Sequence, residues 1–288
     1  MRCVHPLTAW KTPGGTIEFS EDKAHGREKL QLPCGQCIEC RLERARQWAV
    51  RITHEQQMHD ENHFVTFTYD KKHEPRGLEP THFQKFMKRL RKKQPGVRYF
   101  MCGEYGDNTQ RPHYHAAMFG LHLHDQIPWD QNLKTSKTLT NTWGKGNVLI
   151  GELTFESAAY IAAYCTKKIT GAKAKDHYER TDIETGEIYD LTPEYARMSL
   201  KPAIGRKWIE KYTDDVYNYD HVVIKGRAQK APRYYDKYLE QTQPEKLEKH
   251  KINRQLKAKQ TQGENTPNRL KDRETYALAK HKQQHRTL

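Results

Sequence analysis

Arg111-Pro112-His113-Tyr114-His115-Ala116-Ala117-Met118-Phe119 decides how the rest of this chain folds. Pro112 excludes a helix interior, and the residues after it suit a strand. Strand side chains alternate between faces, so His113, His115, Ala117 and Phe119 share one side. Two imidazoles about 7 Å apart on one rigid face can hold one cation between them. Upstream, Tyr99-Phe100-Met101-Cys102-Gly103-Glu104 has the pattern of a second strand. The turn formers of residues 105–110 join the two as a hairpin. In a simple register Glu104 lies opposite His113 with its carboxylate on the same face. Two histidines and a carboxylate around one point form a divalent-metal site with open positions. The competing reading is a pair of half-exposed strand histidines, because a chain with 16 His will contain chance pairs.

Residues 155–169 give the clearest helical pattern, rich in alanine and free of Gly and Pro, with Gly171 placed to end it. Phe155, Ala158, Ala162, Cys165 and Ile169 form a buried stripe. Tyr160, Tyr164 and Lys167 form a second row on the opposite side. Core packing is the usual role of a helical tyrosine pair, but here another face already supplies the core. A phenol in line with a metal suits phosphodiester chemistry, in which the tyrosine oxygen attacks phosphorus and becomes covalently attached. A free phenol has a pKa of about 10, and a cation one turn away such as Lys167 favours the phenolate.

Pro112-His113-Tyr114-His115-Ala116, followed by Tyr160-x-x-x-Tyr164-x-x-Lys167-Lys168, resembles the second and third motifs of HUH (His-hydrophobe-His) endonucleases. The set is similar to replication initiation proteins of small single-stranded DNA phages, the gokushovirus branch of the microviruses. Phe64-Val65-Thr66-Phe67-Thr68-Tyr69 matches that family's first motif, and the Pro33-Cys34-Gly35-x-Cys37-x-x-Cys40-Arg41 stretch is also similar. The resemblance covers roughly residues 1–170 in motif order. In the family the residue between the histidines is hydrophobic, which Tyr114 satisfies in part. The resemblance implies site-specific nicking of the replicative-form origin, a 5′-phosphotyrosine link, and a free 3′ hydroxyl that primes rolling-circle synthesis. It implies Mg²⁺ or Mn²⁺ held by His113 and His115, with Glu104 as third ligand. Tyr160 and Tyr164 match the alternating tyrosine pair, and Lys167 the lysine after it. Single-stranded DNA is then the partner, in the cytoplasm of a bacterial host. No Walker A sequence is present, so a host helicase would unwind the template for a host polymerase. A plasmid initiator, relaxase or transposase of the same superfamily would share this chemistry. The contrasting class is a non-catalytic, zinc-containing nucleic-acid-binding protein, in which the tyrosines are stacking platforms.

Fifty Lys+Arg against 36 Asp+Glu leave a formal charge of +14, which favours a polyanionic partner, nucleic acid before membrane. No apolar run approaches the ~20 residues that span a bilayer, and residues 1–10 lack the apolar core of a signal peptide. A cytoplasmic location with no membrane partner is expected. Cys34, Cys37 and Cys40 with the distant Cys3 suit a four-thiolate structural Zn²⁺ site, with His5 as an alternative fourth ligand. Disulfides, an iron–sulfur cluster and unliganded thiols are the rival readings. A zinc site would pin residues 1–40, which otherwise have little to bury.

A helix is expected over residues 39–59, its Arg41, Arg44, Arg46 and Arg51 either solvated or facing phosphates. A second covers 81–93, and a further strand 147–154. Residues 197–208 include a loop-like stretch suited to touching DNA. Tyrosines beyond residue 178 suit packing more than base stacking. The fold class is α+β, an antiparallel sheet with helices on one face and a small Cys-rich N-terminal element. Three parts follow: a cysteine element and basic helix (1–60), an endonuclease domain (61–225) and a basic polar tail (226–288). The tail has too few apolar residues to fold alone, and is disordered, partly helical, or ordered on DNA or a second subunit.

Overall fold

A computed structural model describes residues 3–12, 14–20, 28–106, 109–164, 168–169 and 173–284. It divides into two compact units, Met1–Arg44 with Leu239–Leu288, and Ala45–Tyr238. The chain begins with β1 (Leu7–Lys11), β2 (Ile17–Glu18) and β3 (Glu28–Leu32), then α1 (Ile38–Gln56) and β4 (Asn62–Phe67). Next come α2 (Pro80–Lys93), β5 (Arg98–Tyr105), β6 (Pro112–Phe119), β7 (Gln126–Pro128) and β8 (Lys134–Ser136). α3 (Lys137–Trp143), β9 (Val148–Glu152), α4 (Phe155–Tyr164), α5 (Lys173–Tyr178), β10 (Glu179–Thr181), β11 (Ile188–Asp190) and β12 (Tyr195–Met198) follow. The remainder is α6 (Arg206–Lys211), α7 (Thr213–Tyr217), β13 (Val222–Ile224), β14 (Arg227–Gln229), α8 (Arg233–Thr242), α9 (Pro244–Gln260) and α10 (Pro267–Gln284).

The larger unit is built on an antiparallel sheet of order β12-β5-β6-β4-β9-β8-β7. Its central strands are buried on both faces, which is why residues of both parities along β5 and β6 are apolar. Val65, Phe67, Met101, Ala116, Met118, Val148 and Ile150 form one face, covered by Phe83, Phe86, Met87 and Leu90 of α2 and Leu139 and Trp143 of α3. Phe100, Cys102, Ala117 and Phe119 form the other, covered by Ile52 of α1 and Ala158 and Ile161 of α4. Helices therefore lie on both faces, not on one as the strand–helix order suggested. A sheet whose two faces are both apolar needs two covers.

The expected loop after residue 194 is in part an edge strand: Ala196 and Met198 of β12 stand opposite Cys102 and Phe100 of β5. Arg98 fixes the segment beyond it, donating to the Pro202 carbonyl (2.6 Å) and to Glu55 (2.5 Å). Arg51 faces neither solvent nor a phosphate. It is buried between the rings of Trp48 and Tyr234 and donates to the Ile204 carbonyl. Tyr178, Tyr217 and Tyr235 are core residues, as packing required, whereas Tyr219 is exposed.

In the other unit, residues 1–40 form more structure than their sparse apolar content suggested. β2, β1 and β3 make a small antiparallel sheet there. Part of the tail is helical, as α9 and α10. Among the described residues no helix is long and apolar enough to cross a membrane.

Candidate active site

The β5–β6 hairpin has the register expected from its sequence: Glu104 is opposite His113, and Cys102 opposite His115. Tyr114 points the other way, fully buried, where it donates to the Glu79 carbonyl and accepts from the Tyr69 hydroxyl. Burial pushes its phenol far above the ordinary tyrosine range. The residue between the histidines thus serves the α2–α3 core, and its hydroxyl is satisfied there.

On the opposite face His113 Nε2 lies 2.7 Å and His115 Nε2 3.0 Å from one oxygen, Glu104 Oε1. Glu104 and His115 are buried and His113 is half-buried. Burial pushes the Glu104 carboxyl up, but the hydrogen bonds and charges of His113 and His115 outweigh it and hold the group below the usual range.

The far sides of both rings are engaged as well. His113 Nδ1 donates to the Arg111 carbonyl (3.1 Å), which fixes the proton on Nδ1 in the neutral ring and leaves a lone pair on Nε2. His115 Nδ1 pairs with the Thr66 hydroxyl at 2.9 Å. A lone pair aimed at a carboxylate oxygen is repulsive unless a proton or a cation lies between them. Cis ligands of an octahedral ion bound at about 2.1 Å stand about 3.0 Å apart, and the two measured separations, 2.7 and 3.0 Å, match that spacing. The donor set, its geometry and its outer hydrogen bonds all fit a divalent cation.

α4 brings the tyrosine row to this face. Its buried stripe is Ala158 and Ala162 as expected, and Tyr160 stands against His115 with ring centroids 5.3 Å apart and edge to face. Phe64 of β4 touches both rings, 5.3 Å from His115 and 6.1 Å from Tyr160. The expected helix over 155–169 is shorter, because Lys168 and Ile169 are not helical. The Ile169 amide donates to Tyr178 Oη instead, so a long-range partner replaces the intrahelical one. Tyr164 occupies the last position of α4. Its side chain lies outside the described residues, as does Lys167.

The second cluster is sulfur-based. The Sγ atoms of Cys3, Cys34, Cys37 and Cys40 lie within 4.8 Å of one another. Cys3 and Cys37 Sγ are 3.8 Å apart, and tetrahedral zinc with Zn–S of about 2.3 Å needs about 3.8 Å. Gly35 at φ +76° turns the chain so that the Gln36 and Cys37 amides both donate to Cys34 Sγ. Burial pushes the Cys34 thiol up, but those two amides outweigh it, and its pKa is lowered to about 7. That loop favours a thiolate, as a metal site requires. His5 bonds Glu274 (2.8 Å) instead of joining the cluster.

Two contributors lay outside the sequence reading: the Arg111 carbonyl and the Thr66 hydroxyl. Thr66 was findable, because it lies in the apolar/Thr strand two residues from Phe64, but only the β4–β6 register places it opposite His115.

A family model of the replication-associated protein ORF2 type matches residues 62–169, which include the hairpin and α4. The chain is 34% identical over 277 residues to replication-associated protein VP4 of Bdellovibrio phage phiMH2K, covering 90% of this chain and 84% of that one. It is 36% identical to replication-associated protein ORF2 of Spiroplasma virus 4 over 73% of this chain and 68% of that one. It is 27% identical to replication-associated protein ORF4 of Chlamydia phage 1, over 72% and 53%. No solved structure matches.

Proposed function

Because the chain belongs to the family of microvirus replication-associated proteins, we propose that it is a metal-dependent tyrosine endonuclease and strand transferase that nicks a circular phage genome at its origin and starts rolling-circle replication. The observation that carries this reading is the Tyr160 ring against His115, on the face where His115 and His113 share the Glu104 carboxylate. Glu104, His113 and His115 would hold the divalent ion, Mg²⁺ or Mn²⁺. When bound, that ion would polarise the scissile phosphate and offset the charge that builds on it.

Tyr160 and Tyr164 supply the nucleophile. The phenol oxygen forms a bond to phosphorus, and its proton leaves. The bond from phosphorus to the 3′ oxygen breaks, and that oxygen takes up a proton to become the free 3′ hydroxyl. The strand's 5′ phosphate stays on the tyrosine. Lys167 would favour the phenolate and balance charge on the phosphoryl oxygens. Thr66 and the Arg111 carbonyl hold the imidazoles with Nε2 inward. Cys3, Cys34, Cys37 and Cys40 would bind a structural Zn²⁺ that stabilises an N-terminal element within residues 1–60, while 61–225 carry the chemistry and 226–288 add positive charge.

Incubation with a single-stranded origin oligonucleotide and Mn²⁺ should give a covalent adduct on a denaturing gel. The Tyr160→Phe/Tyr164→Phe double variant should give none. Cleavage by that variant would rule out the tyrosine mechanism. A purely DNA-binding zinc protein would give no adduct at any sequence.

A further inference from the structure

The face that carries Glu104, His113 and His115 is only partly covered. Cross-strand partners point to the same side, so the row runs from His115 of β6 to Thr66 of β4 and on to Leu149 of β9. Its neighbour in β9 on that side is Gly151, over which Leu133 and Phe64 lie. Lys134 stands opposite Ile150, on the α2–α3 side, so Thr135 and its partner Ile127 fall on the metal side. The Trp129 amide donates to the Leu133 carbonyl, which continues the hairpin by one pair and keeps Trp129 in step with Ile127. The α1–α4 core reaches across β12, β5 and β6 as far as Phe64 of β4. Beyond it exposure rises: Leu149 and Thr135 are half-buried, Ile127 is 58% exposed and Trp129 59%.

A tryptophan this exposed at the open edge of a sheet is costly to solubility and does nothing for the core. Two adjacent apolar side chains there need an occupant. The row leads directly to the metal-type site, and the chain carries a net charge of +14. A strand of DNA with unpaired bases answers both features, since its phosphates suit the charge and its bases offer flat apolar faces.

We propose that the β7–β8 hairpin is a base-stacking foot for single-stranded DNA, with Trp129 and Ile127 holding a base of the strand whose scissile phosphate reaches Glu104, His113 and His115. This rests on the nuclease reading above. From β6 to β7 there are four strand spacings, about 19 Å in all. That span is about six nucleotides at the stacked rise of 3.4 Å, and fewer if the strand is stretched. The foot would therefore grip the DNA several nucleotides from the cut, and with little base preference, because every base has a π-face.

The test is fluorescence anisotropy with a labelled oligothymidylate of about twenty nucleotides. Trp129→Ala should weaken binding about 5- to 150-fold, the range for removing one base stack. Trp129→Phe should recover most of it. Since Trp129 is exposed, the thermal midpoint should stay unchanged. An oligonucleotide with a single abasic position, moved along the strand, should lose the Trp129→Ala effect at one position only. Unchanged affinity in Trp129→Ala, with an intact fold, overturns the inference. So does an equal Trp129→Ala effect on every abasic oligonucleotide, or a variant that alters only self-association. The outcomes separate cleanly from those of the nuclease reading. Should Tyr160→Phe/Tyr164→Phe still cut while Trp129→Ala binds weakly, the chemistry is wrong and the foot stands. Should the adduct form normally while Trp129→Ala binds normally, only the foot is wrong.

Discussion

Thr66→Val isolates one hydrogen bond of the candidate metal centre. Thr66 stands opposite His115 in the β4–β6 register, and its hydroxyl is 2.9 Å from His115 Nδ1. Valine keeps the β-branched shape that suits the strand, so backbone pairing should survive. What is lost is the group that fixes the ring with Nε2 toward Glu104. Removal of such an outer partner typically lowers metal affinity 10- to 100-fold, about 1.4–2.7 kcal/mol. Thr68→Val is the internal control. Its hydroxyl lies two residues further along and donates to the Asn147 carbonyl. Isothermal titration of Mn²⁺ into the three proteins should show weakened binding for Thr66→Val alone, with near-equal melting midpoints. Equal affinity in all three would mean that Thr66 does not orient a ligand, and the assignment of His115 would fall with it.

Two further outcomes follow from buried groups. Glu55→Gln removes the charge from a buried pair with Arg98 and weakens the acceptor for the Gly205 amide (2.6 Å). That costs about 3–5 kcal/mol, and the thermal midpoint should drop by about 6–20 °C. Burial pushes the Glu55 carboxyl up, but hydrogen bonds from His59, Gly205 and Arg98 hold it below the usual range. A depressed carboxylate stabilises the fold above the unfolded value of about 4.3 and loses that contribution as pH falls through the folded pKa. The gap between wild type and Glu55→Gln should accordingly narrow on acidification, and a gap constant with pH would refute the pair's role. For the cysteine cluster, elemental analysis should find one zinc per chain, lost in Cys37→Ser together with protection of residues 3–40 from proteolysis. Zinc-free wild-type protein with the same protection would contradict a structural metal.

Much of the site was legible because local chemistry wrote it. Pro112 and the alternation after it fix which face His113 takes, and the short turn sets Glu104 against it. The cysteine spacing likewise names Cys34, Cys37 and Cys40, since a thiolate loop needs that spacing with Gly35 at positive φ. What stayed hidden depends on contacts distant in sequence. Arg51 looks like any exposed arginine until Trp48 and Tyr234 close on it. Residues 195–198 have no strand signal stronger than their neighbours, and they become β12 only because β5 offers an open edge. The end of α4 was overestimated because helical propensity does not register that the Ile169 amide is claimed by Tyr178. The second helical layer was missed because strand–helix order says nothing about which face a helix takes.

The most direct test of the central claim is mass-spectrometric mapping of the protein–DNA linkage after reaction with an origin oligonucleotide and Mn²⁺. The nucleotide should be found on the phenol oxygen of Tyr160 or Tyr164, and alanine at both His113 and His115 should abolish it. Attachment to any other residue, or an adduct that persists without those histidines, would contradict the account.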